Sequence, residues 1–347
     1  MDIFLPHTDS LGTHIQQQCS QLYALMKTIA VKDLGLSEHG EQYFLGSHYK
    51  RLFFSIQTSA HLLYNSIRLS GKNVSDIVIM DYGAGIGSLY LLAKMIGCKQ
   101  VIYNDILEEW KHNALCIAKA INKDVDVYIV GNIDSTLEQL KTLQIECDII
   151  VSRNVIEHIY KLDVFYKTID SYQPKAIVYS STTANFNNPA MNLQHVLLHR
   201  RFEKQFLQQR LQYILQLHSN MQPTTALQLA KQTRGYEKSD IEKAVTQFLE
   251  KGVTPKKQYV YTNTCDMSYG VWAENLLPFS IHKKMIDSSG RKAIIVPGFW
   301  DTHYAQPLKN KMAIFFNTLI QTGSFFGFLL APFIYVVALP KQVNSSK

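Results

Sequence analysis

The sequence has few cysteines and no paired cysteine motif. Five cysteines are scattered over 347 residues, and no two of them are spaced as CxxC. This disfavours a zinc ribbon, a thioredoxin-like redox motif and a disulfide framework. An odd number of thiols among apolar neighbours indicates buried, reduced side chains in the cytoplasm. Residues 1–20 lack a basic segment followed by an apolar run, so the sequence does not predict a secretory signal peptide.

Charged residues are also sparse, at 18% of the chain, whereas hydrophobic residues make up 46%. This balance permits a sizeable core and argues against wholesale disorder. The 35 Lys and Arg residues exceed the 28 Asp and Glu residues by a net +7. This mild excess favours approach to an anionic surface or an acidic substrate. It falls short of the concentrated basic stripe of a nucleic-acid-binding protein, so the sequence argues against a nucleic-acid partner.

A regular alternation of strands and helices begins after residue 72. Short apolar strands are predicted at 77–81, 101–105, 125–130, 148–152 and 176–180. Strands of this length separated by helices of ten or more residues are typical of βαβ units and a parallel sheet. Their nearly continuous apolar character indicates a sheet that is covered on both faces. The expected fold class is therefore α/β, with a Rossmann-like, doubly wound, mostly parallel sheet.

Segments without this alternation flank and interrupt the predicted sheet. We expect the following division: an N-terminal helical extension (1–72), a Rossmann-like core (73–184 and 260–300), a helical insertion (185–259) and apolar C-terminal helices (301–347). The insertion is either a packing subdomain or a lid over a substrate pocket, because insertions in α/β sheets often lie near the site.

A glycine-rich turn follows the first predicted strand. Asp81 ends this strand, and Gly83, Gly85 and Gly87 follow at every second residue before a helix begins. Glycines allow a tight turn and close approach of a ligand, and the helix N-terminus offers unpaired N–H groups. Asp105 ends the second strand, where a carboxylate can accept both hydroxyl groups of a ribose. The two features together predict a nucleoside site at the carboxyl edge of the sheet.

The GxGxG spacing after an acidic residue resembles the first motif of class I S-adenosylmethionine-dependent methyltransferases. A dinucleotide-binding GxGxxG motif would instead have a glycine at position 88, where this chain has Ser88. The resemblance implies S-adenosylmethionine as the cofactor. It implies that Asp81 and the three glycines face the methionine part of the cofactor and that Asp105 binds its ribose.

The segment CDIIVSRNVIEHIY, residues 147–160, is similar to the fourth-strand motif of small-molecule, type 11–12-like methyltransferases. In this motif an apolar strand ends in a Glu-His pair, here Glu157 and His158. The loop GNID after the third strand contacts the adenine in this family, so the resemblance assigns Asn132 and Ile133 to the cofactor. Asn154, beside the predicted pocket, is assigned to it as well. The resemblance covers roughly residues 76–183 and agrees more weakly around 265–300.

Methyl transfer from a sulfonium is a direct displacement, so the protein must align the nucleophile and exclude water. A general base helps when the nucleophile is a hydroxyl, and His158 suits this role by its side-chain type. His158 could instead orient the loop after the fourth strand, and Glu157 could orient His158 or contact the cofactor. Enzymes of this kind that methylate nucleobase amines carry an Asn/Asp-Pro-Pro-aromatic sequence where this chain has SRNV.

Three histidines lie outside these motifs: the sequence leaves the role of one undecided and indicates a structural role for the other two. His48 lies between Tyr43 and Arg51 before the first strand, in a segment that either closes over the cofactor or is an ordinary surface stretch. His195 and His199 share one helix face, but the glutamate of a zinc-binding HExxH motif is missing, so we interpret both as structural. The sequence predicts no metal site.

The C-terminal region contains a charge-free run from Met312 to Pro340. It could span a membrane, enter one leaflet as a broken helix, or cover the sheet of a soluble enzyme. Interruptions at Gly323, Ser324 and Pro332 favour an interfacial or re-entrant element over a clean span. We therefore expect residues 312–340 to meet a membrane surface and the protein to lie at the cytoplasmic face of a membrane.

These patterns predict a methyltransferase (EC 2.1.1.-) that uses S-adenosylmethionine and acts on a small-molecule or lipid-linked acceptor, with oxygen slightly favoured as the acceptor atom. The alternatives are an NAD-dependent oxidoreductase and a catalytically inactive, membrane-tethered scaffold with the same fold. Ser88 argues against the oxidoreductase, and the complete glycine and aspartate set argues against the scaffold. Neither the acceptor molecule nor the oligomeric state follows from the sequence.

Overall fold

The computed structural model describes residues 3–256, 263–322 and 325–341, and within these ranges seven strands form one main sheet. The strands in chain order are β1 (Val78–Tyr82), β2 (Gln100–Asp105), β3 (Val127–Val130), β4 (Ile149–Arg153), β5 (Ile177–Thr182), β6 (Cys265–Asp266), β7 (Val271–Trp272), β8 (Arg291–Pro297) and β9 (Ile334–Pro340). The short strands β6 and β7 pair with each other, apart from the main sheet.

The main sheet has the strand order β3-β2-β1-β4-β5-β9-β8. Strands β1 to β5 are parallel, and β9 is antiparallel to both of its neighbours. From β1 to β3 successive strands are added on one side of β1, and β4 and β5 are added on its other side. A crevice opens at such a switch point, outside the carboxyl ends of the strands. The turns after β1, β2 and β4 therefore meet at one edge of the sheet.

Helices cover the sheet and form the insertion. In chain order they are α1 (Ser10–Thr28), α2 (Glu38–Tyr43), α3 (Leu52–Ser70), α4 (Leu89–Met95), α5 (Glu108–Ala120), α6 (Ile133–Thr142), α7 (Leu162–Tyr172), α8 (Pro189–Leu217), α9 (Pro223–Gln232), α10 (Lys238–Lys251), α11 (Phe279–Ser288), α12 (Pro307–Gln321) and α13 (Phe325–Leu330). Single helical turns precede or connect several of them, among them Phe44–His48, Tyr49–Arg51 and Ile156–His158.

Both faces of the sheet are buried, as the apolar strands predict. Ile79 and Val101 pack into the cluster formed with α1, α3 and α4, whereas the next residues, Met80 and Ile102, pack into the cluster formed with α6, α7 and α11. Successive side chains of a strand point to opposite faces, so a strand covered on both sides must be apolar throughout. The predicted doubly wound, mostly parallel sheet is confirmed.

The insertion has a small core of its own, formed by α8, α9 and α10. Its polar interior centres on Glu203, which pairs with the fully buried Arg210 and with Arg234. The insertion also contacts the sheet's carboxyl edge, because the Tyr160 hydroxyl donates to Asp240 (2.9 Å) and Lys161 pairs with Glu237 (3.0 Å). Residues 260–262, which the sequence analysis assigned to the core, lie outside the described residues.

The C-terminal region differs from the predicted all-helical element. Residues 307–321 and 325–330 are helical, but Ile334–Pro340 is strand β9, inserted between β5 and β8 and almost completely buried at its centre. The β-branched run of β9 hydrogen-bonds to strands on both sides, which is the environment that such residues favour. Helix prediction for this last part was therefore wrong. Gly323, Ser324 and residues 342–347 lie outside the described residues.

Among the residues that the structure describes, no helix has the length and apolar character needed to cross a membrane.

Candidate functional site

The glycine turn connects β1 to α4 and forms the floor of a cavity. Gly83 and Gly85 have φ values of 68° and 53°, in a backbone region that residues with a Cβ rarely adopt. A Cβ on Gly83 would lie 2.6 Å from Cγ2 of Val155, so glycine is also needed for close packing. A Cβ on Gly85 would meet no atom within 4 Å. The turn therefore packs closely against Val155 at Gly83 and has free space beside it at Gly85.

Asp105 lies at the end of β2, directly beside this turn. Its Oδ2 accepts a hydrogen bond from the Gly85 N–H (3.0 Å), and its Oδ1 accepts one from the Leu107 N–H (3.1 Å). Burial raises the pKa of Asp105, and these backbone donors lower it in turn. The carboxylate is thus fixed in position, with its remaining acceptor capacity available to a ligand in the cavity that it lines.

Asp81 is placed differently from the sequence-based prediction. It is 3% exposed, it does not line the cavity, and its Oδ2 accepts a hydrogen bond from the Tyr90 N–H at the start of α4 (3.0 Å). Burial raises its pKa to about 7, although Arg153 and the Tyr90 N–H lower it. The structure therefore shows Asp81 supporting the turn from behind, without direct access to the cavity.

The loop between β3 and α6 forms the next wall. Asn132 and Ile133, which the resemblance assigns to the cofactor, both line the cavity. The Asn132 side chain accepts a hydrogen bond from the Ser135 N–H (3.0 Å) and thereby caps α6. Asn104, at the end of β2, donates to the Thr136 hydroxyl (2.8 Å) and so ties this loop to the sheet.

The end of β4 contributes Asn154, Arg153 and His158. Asn154 has a φ of 57°, and its N–H donates to the Ser181 carbonyl (2.9 Å), so the chain turns sharply into the cavity wall. All three residues line the cavity. Asn154 and His158 are residues that the sequence analysis assigned to the site, whereas it gave Arg153 no role.

Arg153 has an unusual electrostatic environment. Burial lowers its pKa, while the Tyr43 phenol and Asp81 raise it. Its Nη2 would lie 3.7 Å from a Cβ on Gly87, so the guanidinium stands over the glycine turn. Among the described residues no carboxylate forms an ion pair with it. Since arginine stays protonated in proteins, the cavity carries a positive charge at this point, which the nearby Asp81 offsets only in part.

His158 is held by one ring nitrogen. Its Nδ1 lies 3.0 Å from the Trp272 carbonyl oxygen. A carbonyl can only accept, so Nδ1 carries the proton and Nε2 of the neutral ring is the nitrogen that can accept one. His158 is therefore both oriented by β7 and equipped to take up a proton at the cavity wall.

Glu157 does not line the cavity, contrary to a direct role in binding. It is 2% exposed, burial raises its pKa, and the neighbouring His158 lowers it. Its backbone carbonyl accepts a hydrogen bond from the Asn275 N–H (2.7 Å). The structure therefore shows the Glu157 side chain buried outside the cavity lining.

The cavity has a volume of about 880 Å³, near the upper end of the range for small-molecule sites. Tyr43, His48 and Arg51 line it, so the segment before α3 forms part of the cavity wall. His48 is 4% exposed, and its Nε2 has no hydrogen-bond partner among the described residues. Burial, followed by the charge of Arg153, lowers the pKa of His48 to about 3.

Other lining residues come from distant parts of the chain. They are Glu237 from the insertion and Tyr269, Gly270 and Val271 from the β6–β7 hairpin. No local motif marks these residues, because only tertiary packing brings them to the sheet's edge. The insertion thus contributes to the cavity as well as having its own core.

His195 and His199 lie outside the cavity lining. His195 donates from Nδ1 to the Met191 carbonyl (2.8 Å), and its Nε2 contacts Glu274. Burial lowers the pKa of His195, but the contacts with Glu274 outweigh it and raise the pKa overall. Among the described residues, no cluster of His, Cys, Asp and Glu could hold a metal ion.

Comparisons with known proteins give remote likenesses. No protein-family model and no curated protein matches the chain. Among solved structures, the chain is similar to an S-adenosylmethionine-dependent methyltransferase from Mesorhizobium loti, with 12% identity over 80% of this chain and 97% of that chain and a TM-score of 0.37. It is also similar to magnesium protoporphyrin IX methyltransferase from Synechocystis, solved with bound S-adenosylmethionine, with 13% identity over 47% and 75% of the chains and a TM-score of 0.30.

A proposed RNA methyltransferase from Pyrococcus horikoshii shows 18% identity over 37% of this chain, with a TM-score of 0.28. The chain spans only 57% of the length of that protein. These three structures are methyltransferases by description, and each is distant from this chain in sequence.

Proposed function

We propose that the protein is a methyltransferase that uses S-adenosylmethionine and acts on a small-molecule or lipid-linked acceptor. The observation that carries this proposal is the pairing of the glycine turn with Asp105. The Gly85 N–H donates to the Asp105 carboxylate (3.0 Å), and both residues line one cavity at the carboxyl edge of the sheet. This is the arrangement expected of a nucleoside site in an open α/β sheet.

The residues present fit a nucleoside that carries an amino-acid group. Asp105 would accept the ribose hydroxyl groups, and the wall at Asn132 and Ile133 would hold the adenine. At the other end of the turn, the guanidinium of Arg153 stands over Gly87 without an ion-pair partner among the described side chains, and a ligand carboxylate would pair with it there. The Asp105 carboxylate at one end of the turn thus suits the ribose hydroxyl groups of this cofactor, and the Arg153 guanidinium at the other end suits its carboxylate.

S-adenosylmethionine supplies an electrophilic methyl group, so the chain's own residues must position an acceptor and manage its proton. His158 is oriented through Nδ1, and its Nε2 is left to take a proton from a hydroxyl acceptor. This supports oxygen as the acceptor atom. The cavity of about 880 Å³ leaves room for an acceptor beside a nucleoside.

The geometry gives less support to an NAD-dependent oxidoreductase. Ser88, where a dinucleotide motif has its third glycine, is fully buried, and its hydroxyl contacts those of Ser55 and Ser59 (3.0 Å each). This side chain fastens α4 to α3 and fills the space that a third glycine would leave for close backbone packing.

Calorimetric titration of the full chain with S-adenosylmethionine, S-adenosylhomocysteine and NAD tests the proposal. We expect micromolar binding of the first two ligands, and loss of that binding in Asp105→Ala. The control is Asp163→Ala, which removes an exposed carboxylate on α7. Binding of NAD alone would favour the oxidoreductase, and binding of none of the three ligands would favour the inactive scaffold. Either result would overturn the proposal.

A further inference from the structure

Helices α12 and α13, termed here the helix pair, expose large apolar side chains. Along α12 the exposed residues recur at a spacing of four, three and four positions, which is one stripe of a helix. They are Leu308 (71% exposed), Met312 (50%), Phe315 (60%) and Leu319 (37%). Phe325 and Phe326 at the start of α13 are 65% and 70% exposed. Such a concentration exceeds the scattered apolar side chains of an ordinary surface.

The inner face of α12 is anchored by polar side chains. Asn317 accepts from the Trp300 N–H (2.7 Å) and donates to the Trp300 carbonyl (2.9 Å). Asn310 forms the same reciprocal pair with Tyr304, at 2.7 and 2.9 Å. The side of α12 that faces the protein thus combines these two amides with the buried Ala313 and Ile320, and the apolar stripe is directed outward. These hydrogen bonds fix the orientation of α12 and thereby keep the apolar stripe on the outer side of the helix.

The charges of this region have one sign. Lys309 and Lys311 are exposed at the start of α12. After Asp301 the sequence contains no acidic residue. An apolar stripe beside lysines, with no acidic residue nearby in sequence, complements the headgroups and acyl boundary of an anionic lipid surface.

The helix pair also lies at the same edge of the sheet as the cavity. It connects the end of β8 with the start of β9, and β9 runs antiparallel from the edge where β5 ends. Phe54 lines the cavity and packs edge-on against Phe299 and Phe333, with ring centroids 5.7 and 6.1 Å apart. These two phenylalanines flank the helix pair in sequence, so the segments that hold the helix pair also pack against the cavity wall.

We propose that the helix pair docks on the surface of an anionic phospholipid bilayer and lies in the interface without crossing it. The apolar stripe enters the boundary between headgroups and acyl chains, and Lys309 and Lys311 contact the phosphates. The proposal concerns a surface and does not rest on the reaction proposed above. If both hold, the cavity opens beside the membrane, which suits an acceptor with a lipid tail.

Cosedimentation of the full chain with vesicles tests this proposal. The vesicles are phosphatidylcholine with and without phosphatidylglycerol. We expect binding to the anionic vesicles, weakened at least about tenfold when Phe315, Phe325 and Phe326 are replaced together by Gln. The control carries Gln in place of Leu193, Leu197 and Leu249, three leucines that are 51–60% exposed elsewhere, and should bind like the wild type. Lys309→Ala and Lys311→Ala should each cost about fivefold, on anionic vesicles alone.

Three results would overturn the proposal. One is a wild-type protein that stays in the supernatant with anionic vesicles, and another is a leucine control that loses as much binding as the phenylalanine variant. The third is sedimentation equilibrium showing a dimer that the phenylalanine variant converts to a monomer, without a change in vesicle binding, because the surface would then be an interface between copies. Calorimetry with S-adenosylhomocysteine reports separately on the cavity.

Discussion

Arg153 is the residue whose environment most clearly requires a ligand. Its guanidinium stands over Gly87, and no carboxylate of the described residues pairs with it. A half-buried charge costs stability unless opposite charge offsets it, and a bound anion would add to the offset that Asp81 provides. The carboxylate of the cofactor's amino-acid group is the anion that the proposed function supplies.

Replacing Arg153 by Met should therefore separate two related ligands. We expect about 10- to 100-fold weaker binding of S-adenosylhomocysteine, because a hydrogen-bonded charge pair is lost. Binding of 5′-methylthioadenosine, which lacks the amino-acid group, should stay within about threefold of wild type. Calorimetry measures both affinities, with Arg200→Met on the exposed face of α8 as the control. Equal losses for the two ligands would place Arg153 at the nucleoside end instead.

His158→Gln tests the proton-accepting role. Gln can keep a hydrogen bond to the Trp272 carbonyl but cannot take up a proton, so we expect methyl transfer to fall by about 10²- to 10⁴-fold. The measurement is the transfer of labelled methyl groups from S-adenosylmethionine into a membrane lipid extract. Affinity for S-adenosylhomocysteine should be unchanged, and the exposed His112→Gln is the control. Unchanged transfer in His158→Gln would leave this residue with a positioning role only.

Among the elements, β9 shows most clearly which structure the sequence patterns fail to predict. Strands β1 to β5 could be predicted because each is a short apolar run bounded by polar or glycine-containing turns. The run from Met312 to Pro340 has no charge to mark a boundary, so two helices and a buried strand merge into one apolar segment. Periodicity distinguishes such elements only when one face is polar, and in α12 the exposed face is apolar.

Two isoleucines of this run should respond differently to truncation. Ile334 is fully buried at the start of β9, whereas Ile314 on α12 is 55% exposed. Ile334→Ala should lower the free energy of unfolding by about 2–5 kcal/mol because it leaves a cavity in the core. Ile314→Ala should change it by no more than about 0.5 kcal/mol. Urea unfolding of both variants measures this, and similar effects would contradict the burial of β9.

The candidate site divides in the same way. Gly83, Gly85, Gly87 and Asp105 follow local spacing rules, and the sequence alone located them. Asp81 belongs to the same motif, yet its side chain turns to the Tyr90 N–H behind the turn. Residues such as Glu237 and Tyr269 reach the cavity only through the packing of the insertion and the β6–β7 hairpin. Spacing along the chain predicts a turn, but not which distant segments close over it.

For the whole molecule, the buried carboxyl group of Asp81 links stability to pH. Burial raises its pKa from 3.8 to about 7, so the folded protein holds a proton there that the unfolded chain releases. This contribution is fully present below about pH 4 and is lost as the pH rises through about 7. Asp81→Asn is neutral throughout and can still accept from the Tyr90 N–H.

We therefore expect the stability of the wild type, relative to Asp81→Asn, to fall as the pH rises from about 4 to about 8. Urea unfolding of both proteins at several pH values measures this difference. Parallel stability curves would show that Asp81 does not hold a proton in the folded state, and a divergence of opposite sign would mean that Arg153 keeps its carboxyl group ionised.

The position of β9 has a consequence for synthesis on the ribosome. In the described sheet, β8 joins the other strands only through β9, which follows it in the chain after α12 and α13. While the chain is being made, β8 emerges before its partner strand, and its backbone hydrogen-bonding groups stay unpaired until residues 334–340 leave the exit tunnel. The nascent protein thus passes through a stage in which β8 is an unpaired apolar strand, and such a strand is a binding site for chaperones.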